Sequence, residues 1–546
     1  MRRRVFLGSL AFWFLTLLLL VSPAAAQQAE TVSISRSPGV EQLLGQGHRL
    51  ELQQRWSDAL THYEDAIRLF PGDPALQQRF RTSRMHYEVG RRYRDDSFRR
   101  SVQSLAFEDA LRLYEHALVK IQSHHVEPPQ WDELVWHGTR NLTIALQEDA
   151  FRQRHLVRVQ TEAIDRFGRE VRRMIDAKEI ASRRAARTAV ADAAELAQRR
   201  LNLPPTAVVF EYLCGAVSTL DTYSAYLTPA QLDEVYSQIE GNFVGLGIEL
   251  KTDGGELLIV RVISGSPAEE AGMVAGDRIQ AVDGRNIDTL STDAAANLLQ
   301  GEEGSTVELT LADPEHGSRT VTARRRRVDV PSVDQVRILD PATGVGYLRL
   351  VCFQKTTTED LDKALWKLYY QGMRSLIIDL RGNPGGLLLT SVEVADKFLQ
   401  HGVIVATRGR NTQEDFTYSA HGPGTWRVPL VVLIDQDSAS AAEIFAGAIR
   451  DHRRGTVVGT RSYGKGSVQG IFPLSPGTSG IRLTTAKFYS PAGRAYSHVG
   501  VEPDMAVQAA ARPIDGRVSL DTDDAMLTAA LEAARREMAP KLARPR

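Results

Sequence analysis

The stretch VPLVVLIDQDSASAAEIFAGAIRD, residues 428–451, decides what kind of fold the second half of the chain has. Its apolar run of valine and leucine predicts a buried strand, the polar residues after it predict a tight turn, and the alanine-rich end predicts a helix. Two other apolar runs, GVGYLRL and SLIIDL, are also followed by helical patterns. This alternation predicts an α/β layer with a partly parallel sheet.

Ser440 falls near the start of the predicted helix. The first N–H groups of a helix lack intrahelical partners and carry a positive partial charge, so they favour an oxyanion. Ser440 is therefore a candidate nucleophile, and Ala441 after it keeps the site small enough for a substrate backbone. Serine is also a frequent helix N-cap, and Ser438 or Asp437 is an alternative capping residue. The turn alone leaves both interpretations open.

Lys465 is a candidate general base, because it stands in the otherwise uncharged stretch YGKGSVQ. A lysine accepts a proton only when it is neutral, so burial must lower its pKa from about 10.4 by roughly three units. Gln469 can hydrogen-bond the lysine nitrogen without adding a charge that would hold the proton. The alternative interpretation is a surface lysine in a turn.

A glycine-rich loop follows the strand predicted at SLIID. The strand ends at Asp379, and GNPGG occupies residues 382–386. Backbone freedom beside a strand end suits a second oxyanion donor. The alternative is a loop built only for tight turning.

The sequence pattern changes over residues 241–328, where short β-rich runs alternate with turns. The glycines of GLGI free successive N–H groups to bind an anionic chain terminus, and the strand after it offers an edge to which a peptide can add. SGSPAEEAGMVAGDRIQAVDGRNI and STDAAANLLQG follow in the order of a PDZ domain, which this segment resembles. The alternatives are a β-rich linker domain and a phosphate-binding loop. The candidate peptide-binding residues are Gly245, Leu246, Gly247 and Ile248.

The N-terminal part is predicted to be an export signal followed by helices. MRRR, a leucine-rich run and SPAAAQ have the order of a signal peptide cleaved after Ala26, and a retained membrane anchor is the alternative. LLGQGHRLELQQRWSDALTHYEDAIRLFPGDP matches the tetratricopeptide pattern, and FEDALRLYEHALVKI repeats it more weakly. A generic helical hairpin is the alternative. The usual role of such a region is to dock a partner or to self-associate.

Charge and cysteine content exclude some classes of function. Lys and Arg total 66 against 67 Asp and Glu, so nucleic-acid binding is not expected. Cys214 and Cys352 are too few and too distant for a disulfide framework or a metal site. We expect no metal and no cofactor.

The chain resembles the carboxyl-terminal processing peptidases, also called tail-specific proteases, over roughly residues 207–509. The resemblance is carried, in the family's order, by STLDTYSAYLTPAQ, the PDZ-like segment, DLRGNPGG, SASAAEIFAGAIRD, GKGSVQ and IRLTTAKFYSPAGRAYSHVGVEPD. LDTYS lacks the proline often found there. The resemblance implies a multidomain α+β fold with an all-α N-terminal helical region, an inserted PDZ domain and an α/β protease core of the crotonase and Clp type.

The resemblance also implies the roles of the candidate site residues. Ser440 would be the nucleophile, Lys465 the base and Gln469 the residue that orients the lysine. The N–H groups of Ala441 and Gly386 would form the oxyanion hole. We expect these domains: an export signal over 1–26, a tetratricopeptide-like region over 38–125, a helical region leading into the core over 126–235, the PDZ domain over 236–328, the α/β peptidase core over 329–510, and a C-terminal helix with a basic tail over 511–546.

The expected function is an exported serine endopeptidase, periplasmic or extracellular, acting on proteins or peptides with apolar C-termini. It would touch a membrane only through a retained signal segment. One alternative is a Ser–His–Asp triad that uses His452, His421 or His498, although His452 lies about three helical turns from Ser440. The other is a catalytically inactive scaffold that binds protein C-termini through its PDZ and tetratricopeptide-like modules.

Overall fold

The computed structural model describes residues 38–253, 256–287, 295, 298–313, 317–507 and 524–538. The predicted export signal, residues 1–26, and the basic tail after residue 538 lie outside these ranges. Over the described ranges, no helix is long and apolar enough to cross a membrane.

The chain divides into two compact units, one ending at Arg84 and the other beginning at Met85. This division falls inside the segment 38–125 that we predict to be tetratricopeptide-like. In the first unit, α1 (Pro38–Leu52) packs against α2 (Trp56–Leu69). A Cβ on Gly47 would lie 2.2 Å from the ring of the buried Tyr63, so the close helix contact needs a glycine there. Such a contact is what the tetratricopeptide pattern predicts, and the assignment itself stays a prediction.

Helices continue to residue 240. Their bounds are α3 (Pro74–Arg94), α4 (Asp96–Ser104), α5 (Phe107–His124), α6 (Trp131–Ala145), α7 (Asp149–His155), α8 (Thr161–Asp176), α9 (Arg183–Leu201), α10 (Pro205–Ser218) and α11 (Pro229–Glu240). Helix α10 is buried on all sides because it packs against α5, α6 and α9 at the centre of this layer. Its buried carboxylate, Glu211, pairs with the buried Arg92 at 2.8 Å. The pair leaves neither charge alone in the apolar layer.

The PDZ-like domain is a β-rich body between the helices and the core. Its strands and helix are β2 (Asn242–Gly245), β3 (Ile248–Asp253), β4 (Glu256–Val262), α12 (Pro267–Glu270), β5 (Arg278–Val282), β6 (Arg285–Asn286), β7 (Thr306–Asp313), β8 (Gly317–Arg324) and β9 (Arg326–Asp329). The sheet order is β3-β4-β5-β7-β8, so β3 is an edge strand among the described strands. Strands β2 and β9 pair with each other in antiparallel fashion, so the chain enters and leaves the domain side by side.

The core contains two sheets. The first has the order β10 (Val333–Asp340), β11 (Val345–Leu350), β12 (Ser375–Asp379), β15 (Leu430–Ile434), β16 (Thr456–Gly459) and β19 (Met505–Ala506). All its neighbours are parallel except β10 and β11. The second has the order β1 (Ala225–Leu227), β18 (Gly480–Tyr489), β13 (Val403–Gly409) and β14 (Phe416–Ser419), with β17 (Ser467–Pro473) also paired to β18.

The mainly parallel sheet is covered by helices on both faces, which explains why its strands are continuous apolar runs. Successive residues of β12 alternate between the two faces. Leu376 and Ile378 join one apolar core with α13 (Thr357–Tyr370), α14 (Leu388–Asp396) and α15 (Ala441–Asp451). Ile377 joins another with α16 (Ala525–Met538). The helical region, the PDZ-like domain and this α/β core agree with the predicted architecture.

Candidate active site

Ser440 lies between the end of β15 and the start of α15, at the edge of the sheet where parallel strands carry their C-terminal ends. Its backbone has φ 57° and ψ −114°. An L-residue is strained in this region, whereas glycine enters it freely. A strained strand-to-helix turn is a known way to present a serine hydroxyl above a sheet. The side chain is half-buried.

Ser438, the other serine of the turn, is fully buried and holds the turn together. Its hydroxyl donates to the carbonyl of Leu380 at 2.8 Å and accepts the N–H of Asp435 at 3.0 Å. These bonds tie the end of β15 to the loop after β12. Ser438 therefore has a structural position, and Ser440 has the accessible one.

Gly385 lies directly against the Ser440 turn. A Cβ on Gly385 would stand 2.7 Å from the Cβ of Ser440 and 2.9 Å from the backbone nitrogen of Ala441. The φ of Gly385 is also positive, at 102°. The position consequently excludes any side chain, and it uses the backbone freedom that the glycine-rich loop provides.

Gly386 forms an isolated parallel bridge with Phe353. Phe353 donates to the carbonyl of Gly385 at 2.8 Å, and the N–H of Leu387 donates to the carbonyl of Phe353 at 2.7 Å. In this pairing the N–H of Gly386 itself points away from Phe353. The N–H of Gly385, by contrast, donates to the side-chain oxygen of Asn383 at 2.8 Å.

Asn383 holds the glycine loop and the serine turn together, and the sequence analysis missed it. Its side chain is fully buried and donates to the carbonyl of Leu350 at 2.7 Å. Its backbone carbonyl accepts the N–H of Ala439, the residue before Ser440, at 2.9 Å. The signal in the sequence was an amide inside a glycine-rich loop, where it can bond to neighbouring backbone.

Glu443 was also missed, although its carboxylate links the serine turn to the lysine loop. The side chain is fully buried. Oε2 accepts the backbone N–H of Ser440 at 2.8 Å and that of Lys465 at 2.9 Å. Oε1 accepts the N–H of Gly464 at 2.7 Å and the hydroxyl of Ser462 at 2.6 Å. Burial raises the pKa of Glu443 above its ordinary value, and these hydrogen bonds oppose that rise.

The sequence did contain a signal for Glu443. It is the one charged residue in AAEIFAGAI, an otherwise apolar first part of a helix. A buried carboxylate is costly unless several donors surround it, so its presence there predicts a tight set of hydrogen bonds.

Lys465 lies in the loop before β17, with its side chain partly buried. Its ammonium nitrogen is 5.1 Å from the centroid of the Tyr223 ring. Loss of solvent lowers the pKa of Lys465 below its ordinary value, the positive charge of Arg482 lowers it further, and Glu443 acts in the opposite direction. The lowered pKa is in the direction that a lysine base needs.

Gln469 lies on β17, in the strand that follows the lysine loop. Its amide donates to the hydroxyl of Ser467 at 2.9 Å. Within the described residues, no hydrogen bond joins Lys465 to Gln469 or to Ser440. The predicted contact between Gln469 and the lysine is thus not made in this arrangement.

The three histidines considered as alternative bases lie elsewhere or have other partners. His452 caps the far end of α15, and its Nε2 is 2.7 Å from the carbonyl oxygen of Val403. His421 is 81% exposed and pairs with Asp396 at 2.9 Å. His498 approaches the lysine loop through its backbone, whose N–H donates to Gly464 at 2.9 Å. Across the described ranges, no three His, Cys, Asp or Glu side chains gather to hold a metal ion.

The GLGI loop leads into the edge strand β3. Leu246 is buried in the domain core, and its carbonyl accepts the N–H of Ala268 at 2.9 Å. Gly247 has φ 84°, and a Cβ there would stand 2.2 Å from the Cβ of Ser266. Gly245 ends β2, and Ile248 begins β3. Most of the helix predicted at STDAAANLLQG lies outside the described residues.

Two segments of the chain match known protein families. Residues 344–507 match the model of peptidase family S41, and residues 258–313 match a PDZ domain. A carboxy-terminal-processing protease of Bartonella bacilliformis is 37% identical over 308 residues, which cover 54% of this chain and 68% of that protein. A carboxyl-terminal-processing protease of Synechocystis is 38% identical over 298 residues, covering 54% and 69%. The solved photosystem II D1 C-terminal processing protease is 26% identical, with a TM-score of 0.40, and covers 74% of this chain and 95% of that one.

The matched core and the matched domain define a serine-type peptidase with a PDZ domain. Within that class, the chain belongs to the carboxyl-terminal processing proteases of peptidase family S41.

Proposed function

We propose that this peptidase is exported, captures substrate C-termini in its PDZ domain, and cleaves peptide bonds with Ser440 as nucleophile and Lys465 as base. The observation that carries the proposal is the shared acceptor. One oxygen of Glu443 accepts the backbone N–H of both Ser440 and Lys465. The two residues that the family pattern pairs are therefore anchored at the same buried carboxylate.

The chemistry follows from the lysine's environment. Neutral Lys465 takes the proton of Ser440 while Oγ bonds to the scissile carbonyl carbon, and the lysine then gives this proton to the leaving amine. Water next attacks the acyl-enzyme, with Lys465 again accepting a proton. Desolvation, which lowers the lysine pKa, makes the neutral form accessible nearer to neutral pH.

The oxyanion is received by two backbone N–H groups in this proposal. Ala441 supplies the first, since it opens α15, where the leading N–H groups have no intrahelical acceptor. Gly386 supplies the second. We favour it over Gly385 because Gly385 already donates to Asn383, whereas the N–H of Gly386 points away from its bridge partner.

Gln469 acts in this proposal by bonding the lysine nitrogen once substrate has moved Lys465 toward Ser440. Its amide now rests on Ser467 at 2.9 Å. A neutral amide is suited to this task because it steers the amine without raising its pKa as a carboxylate would. The family resemblance supports the role, and the observed partner indicates the resting position.

The PDZ domain would bind the C-terminal carboxylate at the loop Gly245–Gly247 and extend the substrate along β3. Support comes from the position of β3 at the sheet edge and from Gly247, whose positive φ favours a glycine, so that no Cβ blocks the loop there. Apolar residues near the loop, such as Ile248, favour substrates with apolar C-termini. An inactive scaffold is disfavoured because the chain belongs to a family of peptidases and keeps both Ser440 and Lys465.

Three further parts of the proposal rest on the sequence. Residues 1–26 would direct export to a periplasmic or extracellular space, which fractionation and N-terminal sequencing of the mature chain would test. The tetratricopeptide-like residues would bind a protein partner or a second copy, which light scattering of the full chain would test. The core would be of the crotonase and Clp type.

The central test is cleavage of one peptide with an apolar C-terminus, supplied with a free carboxylate and as its C-terminal amide. We expect wild type to prefer the free carboxylate. Ser440→Ala and Lys465→Ala should lose at least about 1,000-fold in kcat/KM, because only substrate binding and the oxyanion hole then remain. Lys487→Ala, at an exposed lysine on β18, is the control and should remain active. Full activity of either site variant would refute the dyad, and equal cleavage of both peptides would refute recognition of the C-terminus.

A further inference from the structure

Among the residues that the structure describes, the Lys465 ammonium contacts an aromatic ring and no hydrogen-bonding partner. Its ammonium nitrogen is 5.1 Å from the centroid of Tyr223, within the distance of a cation–π contact. Tyr223 belongs to the segment STLDTYS, between α10 and β1, more than two hundred residues earlier in the chain. Neither the motifs of the sequence nor the proposed chemistry gives this tyrosine a role.

Hydrogen bonds of the Tyr223 backbone and hydroxyl hold this residue in place. The N–H of Tyr223 donates to Asp221 at 2.7 Å, and its carbonyl accepts the Nε of Arg482 at 2.9 Å. Its hydroxyl is hydrogen-bonded to the side chain of Tyr463. The backbone N–H of Tyr463 in turn donates to the carbonyl of Ser438 at 3.0 Å. The tyrosine is thereby tied to the sheet that carries the lysine loop and to the serine turn.

The charged and titratable groups near Lys465 bind other atoms or repel its ammonium, so they do not hold it as the ring does. Glu443 binds the backbone of Lys465 and not its ammonium. Arg482, on β18, is positive and repels the ammonium. Asp221 is engaged by the Nε2 of His125 at 3.1 Å and by Ser224. Tyr463 is on the lysine loop, and His498 meets that loop through its backbone N–H.

We propose that Tyr223 is a positioning residue whose ring face is the resting seat of the protonated Lys465 side chain. The inference rests on the proposed Ser440/Lys465 function and adds the element that holds the base between turnovers. A ring face attracts the ammonium through its quadrupole and gives nothing comparable to a neutral amine. It holds the charged lysine in a desolvated site far more weakly than a carboxylate would. Arrival of substrate and loss of the proton both release the lysine toward Ser440.

This arrangement predicts a pH effect with a definite sign. The ring stabilises the protonated lysine, so its removal should lower the pKa of Lys465 further. The acid limb of the kcat/KM profile should then move to lower pH in Tyr223→Leu, by about 0.5–1 pH unit for a contact of this kind. Tyr223→Phe keeps the ring face and should keep the wild-type limb.

The test uses the full-length chain and two readouts. The first is the pH profile of kcat/KM for peptide cleavage. The second is the pH dependence of covalent labelling by a fluorophosphonate, in which Ser440 Oγ bonds to phosphorus, fluoride leaves and the proton passes to the base. Labelling reports the nucleophile without requiring the peptide to bind, so the test remains decisive if Tyr223→Leu weakens substrate binding.

If the acid limb of both pH profiles moves to lower pH in Tyr223→Leu but not in Tyr223→Phe, the proposed role of Tyr223 is supported. If the acid limb is unchanged in Tyr223→Leu, or moves equally in both variants, the proposed role of Tyr223 is refuted. Lys465→Ala separates this outcome from failure of the proposed function. If Lys465→Ala is inactive while Tyr223→Leu shows no shift, only the role of Tyr223 fails. If Lys465→Ala is fully active, the dyad itself fails.

Discussion

The backbone N–H groups of Ser440 and Lys465 donate to one oxygen atom, Oε2 of the buried Glu443, at 2.8 and 2.9 Å. The other carboxylate oxygen accepts two more donors from the lysine loop. Charge-assisted hydrogen bonds in a dry site are strong and directional. Glu443 therefore holds the strained backbone of Ser440 and, at the same time, the loop that carries Lys465.

Glu443→Gln keeps the size of the side chain but removes its charge and replaces one of its two acceptor oxygens with an NH₂ group. Either orientation of the amide turns an NH₂ group toward two donors that now have an acceptor. We expect a loss of about 2–3 kcal/mol in the free energy of unfolding, as for buried donors left without a charged partner. Because the side chain that joins the serine turn to the lysine loop loses its charge and one of its two acceptor sites, kcat/KM should fall by at least tenfold.

Urea unfolding and steady-state cleavage would measure the two effects. Glu393→Gln, at an exposed position of α14, is the control and should change neither by much. Wild-type stability together with wild-type activity in Glu443→Gln would show that the bridge is dispensable.

The strain at Ser440 predicts an unusual preference for glycine. At φ 57° and ψ −114° a Cβ is unfavourable, so Ser440→Gly should be more stable than Ser440→Ala by about 1 kcal/mol. Thermal unfolding of the two inactive variants would measure the difference. At Ser438, which is not among the positive-φ residues, the order should reverse, because glycine there only adds freedom to the unfolded chain. An alanine variant at Ser440 as stable as the glycine variant would argue against strain.

The sequence was informative wherever function depends on neighbours in the chain. The strand, turn and helix around Ser440 follow from local patterning, and the two-sided cover of β12 follows from its continuous apolar run. The GLGI loop and its edge strand are likewise local features.

Long-range contacts were not predictable in the same way. Tyr223 meets Lys465 only because β1 and β17 both pair with β18, which brings distant segments together. The hydrogen-bond partner of Gln469 is Ser467, and this choice depends on the side-chain conformations within one hairpin. The first compact unit ends at Arg84 since α4 and α5 bury their apolar faces in the larger unit, a choice that helix patterning alone does not reveal.

The lowered pKa of Lys465 makes stability depend on pH. An unfolded lysine titrates near 10.4, and the folded pKa is lower, so the folded state binds the proton less well. The lysine's contribution to stability is thus fully present above the unfolded pKa and is lost as pH falls through the folded pKa. Lys465→Met has no such loss. Its stability relative to wild type should rise as pH falls from about 10.4 toward the folded pKa, and should then level off.

Melting temperatures of both proteins between about pH 6 and 10 would show this difference. Lys487→Met, on the same sheet, accounts for the general effect of replacing a lysine. A gain in Lys465→Met that grows with rising pH would contradict the assigned direction of the pKa shift.

The PDZ loop yields a prediction that separates a clash from backbone strain. Gly247 and Gly265 both have positive φ, at 84° and 73°. A Cβ at Gly247 would meet the buried Ser266 at 2.2 Å, whereas no described residue other than its chain neighbours lies within 4 Å of one at Gly265. Gly247→Ala should therefore displace the loop and weaken binding of a C-terminal peptide at least tenfold. Gly265→Ala should cost only about 1 kcal/mol of local strain and leave binding near wild type. Fluorescence anisotropy with a labelled peptide, in the Ser440→Ala background to prevent cleavage, would compare them, and equal affinities would place the binding loop elsewhere.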